Sequence, residues 1–479
     1  MNIKLTKKSR WIFVLTGITA IALGVFFMPK FLSLVEFLGH RIPQNNVRLD
    51  YLKGVLWSVL LGASIFCWPI RSSDKKAVLL VWLVKCAVML GFMLFYEYYY
   101  QTDAFGYFSG SMHDISEWKK MEISGPSSAV VIIAWLHNHT FFNSFHATKV
   151  SFGMIGLVAA YIFYRAVVAF LRQEKVRLLY VFALFPSILF WSSTLGKEAI
   201  VFLGIAIYSF GAINWFRNKN LLFIFVMLCG VMLVTYMRVW MGVIMVLPVL
   251  MVSFFIGVKK MRIKIAATLI LISACLFFAR QVSRSFNVKS TSDFSAAANL
   301  KSTNFSRGGS MVNQDAGINS LEKTIVKEAQ VKETADVKAV KEIASVAPAK
   351  KESAPEIKKT KFNNLWDMLF FLPQGMFTVL FRPLPGEVNN IFGLFSGLED
   401  AFLLILFALA LKRARWRELL SPIPIWSILL IVIWAAAYSF VGFNLGTVCR
   451  YRLQILPIFL GLLLYLSRNR DILINNKNK

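Results

Sequence analysis

The feature that most limits what this 479-residue chain can become is the recurrence of long Phe/Leu/Ile/Val runs separated by short basic stretches. A helix needs roughly 20 apolar residues to cross the hydrocarbon of a bilayer, and lipid obliges every backbone N–H and C=O to be bonded inside the spanning structure. The runs lack the alternation of a transmembrane strand, so they read as helices. Charged residues are only 16% of the chain against 57% hydrophobic, which excludes an ordinary soluble domain. The fold class expected is an all-α integral membrane protein.

Twelve spans are expected, near 11–28, 52–70, 77–96, 148–171, 178–193, 199–216, 221–236, 239–258, 265–280, 389–411, 423–441 and 453–467. The net charge of +28 invites a nucleic-acid partner, but its distribution argues for none. The basic residues cluster between spans, around Lys7 and Arg10, Arg71 and Lys75, Arg172 and Arg177, Lys259 and Lys264, Lys412 and Arg417, and in the tail. That is the positive-inside signature, and anionic lipid headgroups are a sufficient use for it. With the amino terminus inside, all of these clusters face the cytoplasm, and so do both termini. No small-residue cleavage site cleanly follows the first run, which is read as a retained span. Four of the five cysteines, Cys67, Cys86, Cys229 and Cys275, lie in or at the end of apolar runs, so no disulfide framework is implied.

Three parts follow from this organisation. Residues 1–280 form a first transmembrane portion that includes an outer loop at 97–146, in which AVVIIAWL is too brief to span and suggests a surface or re-entrant helix. Residues 281–363 form an outer insertion whose Lys/Glu/Ala/Val-rich middle lacks aromatics and cannot bury enough surface to offset ordering entropy, which predicts disorder or a loose helix. Residues 364–479 hold LWDMLFFLPQGMFTVLF, a run interrupted by Pro373 and Gly375 and expected to lie at the interface, followed by the last spans.

Chemistry is expected on the outer side. Asp103 follows a span directly, with Tyr107 four residues on and Asp114 beyond. A carboxylate there suits a general base, and Asp103 with Asp114 is also compatible with a divalent cation. Arg238 interrupts an otherwise apolar stretch in TYMRVWMG, either as a functional charge or as a hairpin corner whose guanidinium snorkels outward. Arg382 and Glu387 sit in FRPLPGEVNN, where two prolines fix an extended turn and a structural ion pair is the plain alternative. Arg450 and Arg452 stand before the last span, where the orientation rule disfavours basic residues. Guanidinium forks suit phosphate oxygens. Arg307, in RGGS, and the pair Lys197 and Glu198, which also suits a helix-start ion pair, complete the candidates. His137, His139 and His146 have no recognised metal spacing, and no phosphate-binding glycine loop or nucleophile elbow is present.

In order along the chain, TDAFGYF, FPSILFWSSTLGKEAIVFLGIAIY, TYMRVWMG, RGGS, FRPLPGEVNNIFGLFSGLE and NLGTVCRYRLQILP resemble bacterial multi-spanning proteins related to the GT-C glycosyltransferases, which include protein mannosyltransferase-like and lipid A aminoarabinose transferase-like enzymes. The resemblance implies a bacterial cytoplasmic (inner) membrane enzyme that moves a sugar from a polyprenyl-phosphate-linked donor to a glycan, lipid or protein acceptor at the outer face. It implies Asp103 as base or metal ligand by position, although no acidic pair with one intervening residue stands beside it. Three rivals remain: an O-antigen-type polysaccharide polymerase or ligase, a transporter or flippase for a lipid-linked sugar, and a scaffold that uses the charged tract as its partner-binding arm. A transporter is expected to show ionisable residues or broken helices near the bilayer midplane and often an internal repeat, and no repeat is evident.

Overall fold

The computed structural model describes residues 27–100, 102–113, 126–255, 261–286, 365–388, 391–440 and 445–468. Every regular element among them is helical. Residues 11–26 of the expected first span, Asp114, Arg307 and nearly all of the charged insertion lie outside the described residues.

The helices are α1 (27–38), α2 (Val47–Ser64), α3 (Ser72–Ala87), α4 (Met93–Tyr99), α5 (Asp103–Ser111), α6 (Pro126–Thr140), α7 (Phe145–Leu171), α8 (Arg177–Leu184), α9 (Pro186–Trp191), α10 (Lys197–Asn218), α11 (Leu222–Met237), α12 (Met241–Phe255) and α13 (Met261–Phe286). After the insertion come α14 (Leu365–Phe381), α15 (Ile391–Arg413), α16 (Trp416–Leu419), α17 (Pro422–Ser439), α18 (Leu445–Arg452) and α19 (Leu456–Ser467). Among the described residues seven helices are long and apolar enough to cross a membrane, and an eighth span results if α18 and α19, bent by 65°, count as one. This is the architecture of a multi-pass membrane protein.

Several expected spans take a different form. The stretch at 178–193 is split into α8 and α9 because Phe185 is extended (ψ 127°) before Pro186, which has no N–H to continue the helix and takes the first helical position of α9. α11 and α12 are 16 and 15 residues long, short of a full crossing. Pro373 does not break α14, which runs unbroken from Leu365 to Phe381. AVVIIAWL lies within the 15-residue α6, and α3 joins α4 through a π-helical stretch at Val88–Phe92 into a 28-residue span.

The chain divides into two compact units. Unit one is residues 1–70, 82–154 and 193–196, and unit two is 71–81, 155–192 and 197–479. In unit two α10 and α11 form a tight antiparallel hairpin. A Cβ on Gly211 would stand 2.5 Å from the Met227 backbone nitrogen, and one on Gly230 would stand 2.4 Å from that of Tyr208. Apolar helices have no hydrophobic drive to associate within lipid, so this backbone approach supplies the packing. The hairpin places the first turn of α10 and the last turn of α11 at the same end, which is where charge collects.

Candidate functional site

Glu198 lies in the first turn of α10, where the helix dipole favours an anion, and it is buried. Arg450 of α18 meets it with a two-pronged fork, Nε donating to Oε1 at 2.5 Å and Nη2 to Oε2 at 3.0 Å. Arg238 closes α11 as its C-cap residue and turns inward, with Nη2 3.5 Å from Glu198 Oε1 and its guanidinium carbon 3.8 Å from the centre of the Tyr451 ring. The hairpin corner anticipated at Arg238 is therefore present, but its side chain is only 10% exposed and does not snorkel. Its Nε is buried and has no hydrogen-bond acceptor among the described residues. Cation–π contact with Tyr451 holds the guanidinium where its Nε–H has no partner among the described residues.

An aromatic wall keeps Tyr451 in place. Trp240 Nε1 donates to the Tyr438 hydroxyl at 2.8 Å, and that hydroxyl donates to Gln454 Oε1 at 2.6 Å. Trp434 Nε1 reaches the same Gln454 oxygen at 3.1 Å, and the Tyr438 and Tyr451 rings meet edge to face at 5.5 Å. The site thus sets two guanidiniums against one carboxylate, a net charge of +1 over these three groups, beside a rigid apolar surface.

Arg452 does a different job. Its side chain is 2% exposed, ion-paired to Asp400 of α15, and donates from Nε to the Val379 carbonyl at 3.1 Å and from Nη2 to the Arg382 carbonyl. It ties α14, α15 and α18 together from inside, and Asp400 Oδ2 remains buried without a partner. The adjacent Glu399 accepts the Ser187 N–H at 2.9 Å, satisfying a donor in the first turn of α9. Arg382 and Glu387 form the local ion pair weighed above: Arg382 Nε lies 2.9 Å from both carboxylate oxygens, and the Leu384 N–H donates to Oε2 at 2.8 Å. Gly386, at φ +89°, supplies the left-handed residue this turn requires. Burial pushes the Glu387 carboxyl upward, but the Arg382 hydrogen bonds, the Leu384 amide and the Arg382 charge outweigh it and hold the group below the usual carboxylate range.

The structure thus brings Glu198, Arg238 and Arg450 together, and separately pairs Arg382 with Glu387 and Arg452 with Asp400. Lys197 is the half-buried first residue of α10. Asp103 and Tyr107 belong to unit one, one turn apart on α5, with Asp103 exposed and Tyr107 half-buried. Among the described residues no group of three or more His, Cys, Asp or Glu side chains is arranged to hold a metal ion.

Sequence reasoning passed over several buried ionisable groups: Asp50, Lys85, Glu97, Lys149, Glu399 and Asp400. The signal for Lys85 and Lys149 was available, since a lone charge inside an apolar run must find a partner or water. Lys85 Nζ donates to Ser193 Oγ at 3.0 Å, and Lys149 Nζ to Glu97 Oε2 at 2.8 Å. His137 on α6 accepts or shares a hydrogen bond with Ser151 at 3.1 Å, and burial lowers its pKa to about 4, so the imidazole is neutral at physiological pH. No protein-family model, curated protein or solved structure matches this chain.

Proposed function

We propose that the chain is a membrane-embedded glycosyltransferase that takes a sugar from a polyprenyl-phosphate-linked donor and passes it to an envelope glycan, lipid or protein at the outer face of the bacterial cytoplasmic membrane. The observation that carries this reading is the charge excess at Glu198, Arg238 and Arg450, together with the buried, unpartnered Nε of Arg238. A phosphate oxygen accepts such a donor and balances the second guanidinium, while Glu198 keeps both forks oriented in the bare site. As the glycosidic bond to phosphate breaks, negative charge grows on the leaving oxygens, and fixed guanidiniums stabilise it without reorganisation. Asp103 is the base in this scheme, taking the proton of the acceptor hydroxyl. The donor-binding set expected from sequence also holds Tyr107, Arg307, Arg382, Glu387 and Arg452, the last of which this scheme assigns to bracing α14, α15 and α18, and Lys197 adds positive charge beside Glu198. The finer topology of twelve spans with both termini cytoplasmic belongs to the same reading, because it puts all of these residues on the outer side.

The test uses full-length protein in lipid nanodiscs with a polyprenyl phosphate as ligand and a panel of polyprenyl-phosphate sugars as donors. Binding of the carrier by wild type, lost in Arg238→Gln and Arg450→Gln, supports the site. Unchanged binding in both variants overturns it. Movement of the lipid-linked sugar across the bilayer without any transfer would replace the enzyme by a transporter.

A further inference from the structure

Unit one holds buried ionisable groups that the proposed transfer does not use. Asp50 stands in the first turn of α2 and is 3% exposed. Its Oδ1 accepts the Phe145 N–H at 2.8 Å, and its Oδ2 accepts the His146 N–H at 3.4 Å and lies 2.5 Å from His146 Nδ1. Asp50 thus caps α7 and anchors the imidazole at once. Two backbone N–H donors stabilise the ionised form of this carboxyl, and with Asp50 as the carboxylate Nδ1 carries the hydrogen of the short bond.

That leaves the far nitrogen. His146 is 0% exposed, and its Nε2 is buried with no hydrogen-bond partner among the described residues. One turn further along α7, Lys149 is paired with Glu97, both of them buried. With a neutral imidazole the group of Asp50, Glu97 and Lys149 sums to −1, and a buried uncompensated charge is costly. A proton on Nε2 brings the sum to zero.

The titratable groups facing this imidazole come from each neighbouring helix. Asp50 and Tyr51 come from α2, the Tyr51 ring lying 5.1 Å away with its hydroxyl given to the Leu90 carbonyl. Glu97 comes from α4 and Lys149 from α7 itself, while His137 on α6 is engaged with Ser151. A Cβ on Gly54 would meet His146 Cβ at 2.5 Å, so α2 lies directly against α7 here and leaves the ring little freedom to swing away. Asp50 and His146 stand in the first turns of α2 and α7, and Glu97 in the last turn of α4.

We propose that His146 and Asp50, with Glu97 and Lys149 behind them, form a proton-binding site at the ends of the helices of unit one. The proton adds to the Nε2 lone pair and no covalent bond breaks. Nδ1–H stays on Asp50, and the neutral dyad becomes an imidazolium–carboxylate pair. This inference does not depend on the transferase reading, which uses other residues.

The experiment is nitrogen-15 NMR of ring-labelled histidine in the full-length protein in nanodiscs, from pH 9 down to pH 4, where only five histidines contribute signals. One imidazole, absent in His146→Gln, is expected to pass from the neutral Nδ1–H form to imidazolium. Its midpoint is expected to fall by about one unit or more in Asp50→Asn, since removal of a carboxylate within hydrogen-bond reach disfavours the cation. Glu97→Gln, which leaves Lys149 unopposed, is expected to move the midpoint the same way and serves if Asp50→Asn does not fold. A His146 ring that stays neutral over the whole range, or a midpoint unmoved by both variants, overturns the proposal and reduces the dyad to a structural hydrogen bond.

Discussion

Around α7 in unit one, two carboxylates face one ammonium and an imidazole, whereas in unit two, two guanidiniums close on a single carboxylate. Beside each charge group a buried nitrogen has no partner among the described residues, His146 Nε2 in the first and Arg238 Nε in the second. The surplus has opposite sign, so the chemistry each region can accept differs: a proton where an anion is in excess, a phosphate where a cation is. The contrast with Arg452 and Asp400 is equally instructive. There one base meets one acid, backbone carbonyls take the remaining donors, and the pair acts as a brace for three helices.

The comparison breaks most readily at the arginine pair. If the surplus guanidinium is the phosphate site, Arg450→Ala or Arg238→Ala lowers transfer by roughly 10²–10³-fold, the scale of losing one charge-stabilising donor, while the thermal unfolding of the nanodisc-embedded protein changes far less. An equal loss of folding and activity would make these residues braces like Arg452.

Next in size are the balanced pairs. Arg452→Met leaves Asp400 buried and alone, and is expected to cost about 3–5 kcal/mol of stability. The same holds for Lys149→Met, which strands Glu97. Joining each with its partner change, Asp400→Leu or Glu97→Leu, should recover most of that loss, because an apolar pair needs no desolvated charge. Chemical or thermal denaturation of single and double variants reads this directly. A double variant as unstable as its single would show that the acid has a second essential partner.

Smaller effects come from packing and from the exposed turn. Gly230→Ala pushes a methyl into the Tyr208 backbone and should cost about 1–3 kcal/mol, visible as a lower unfolding temperature. The Arg382–Glu387 pair is partly exposed and worth under about 1 kcal/mol. Because the folded carboxyl titrates below its ordinary value of 4.5, this contribution is complete above that pH and is lost as pH falls through the folded value. Comparing Glu387→Gln with wild type by unfolding at pH 6 and pH 3 should show a difference at pH 6 that closes at pH 3.

Much of the fold was legible because hydrophobic length is a local property. The runs that became α2, α3 with α4, α7, α10, α13, α15 and α17 could be read without any knowledge of their neighbours. The failures were also local in origin. Pro186 split one run and an extended Phe185 made the break, whereas Pro373 was absorbed into α14, so the effect of a proline depended on what the surrounding backbone allowed.

The residues of the candidate site were legible only as a list. Sequence singled out Glu198, Arg238 and Arg450 as charges out of place, but did not group the three, and it ranked Arg450 together with Arg452. Glu198 and Arg450 are 252 residues apart, Asp50 and His146 are 96, and Glu97 and Lys149 are 52. A buried charge announces in sequence that it needs a partner, since its desolvation must be offset. Which partner it finds, and whether the balance closes, depends on helix contacts that local pattern does not encode. Composition and run length therefore determined a helical multi-pass membrane chain with charge at its helix ends, and tertiary packing alone decided which charges cancel and which are left to hold something else.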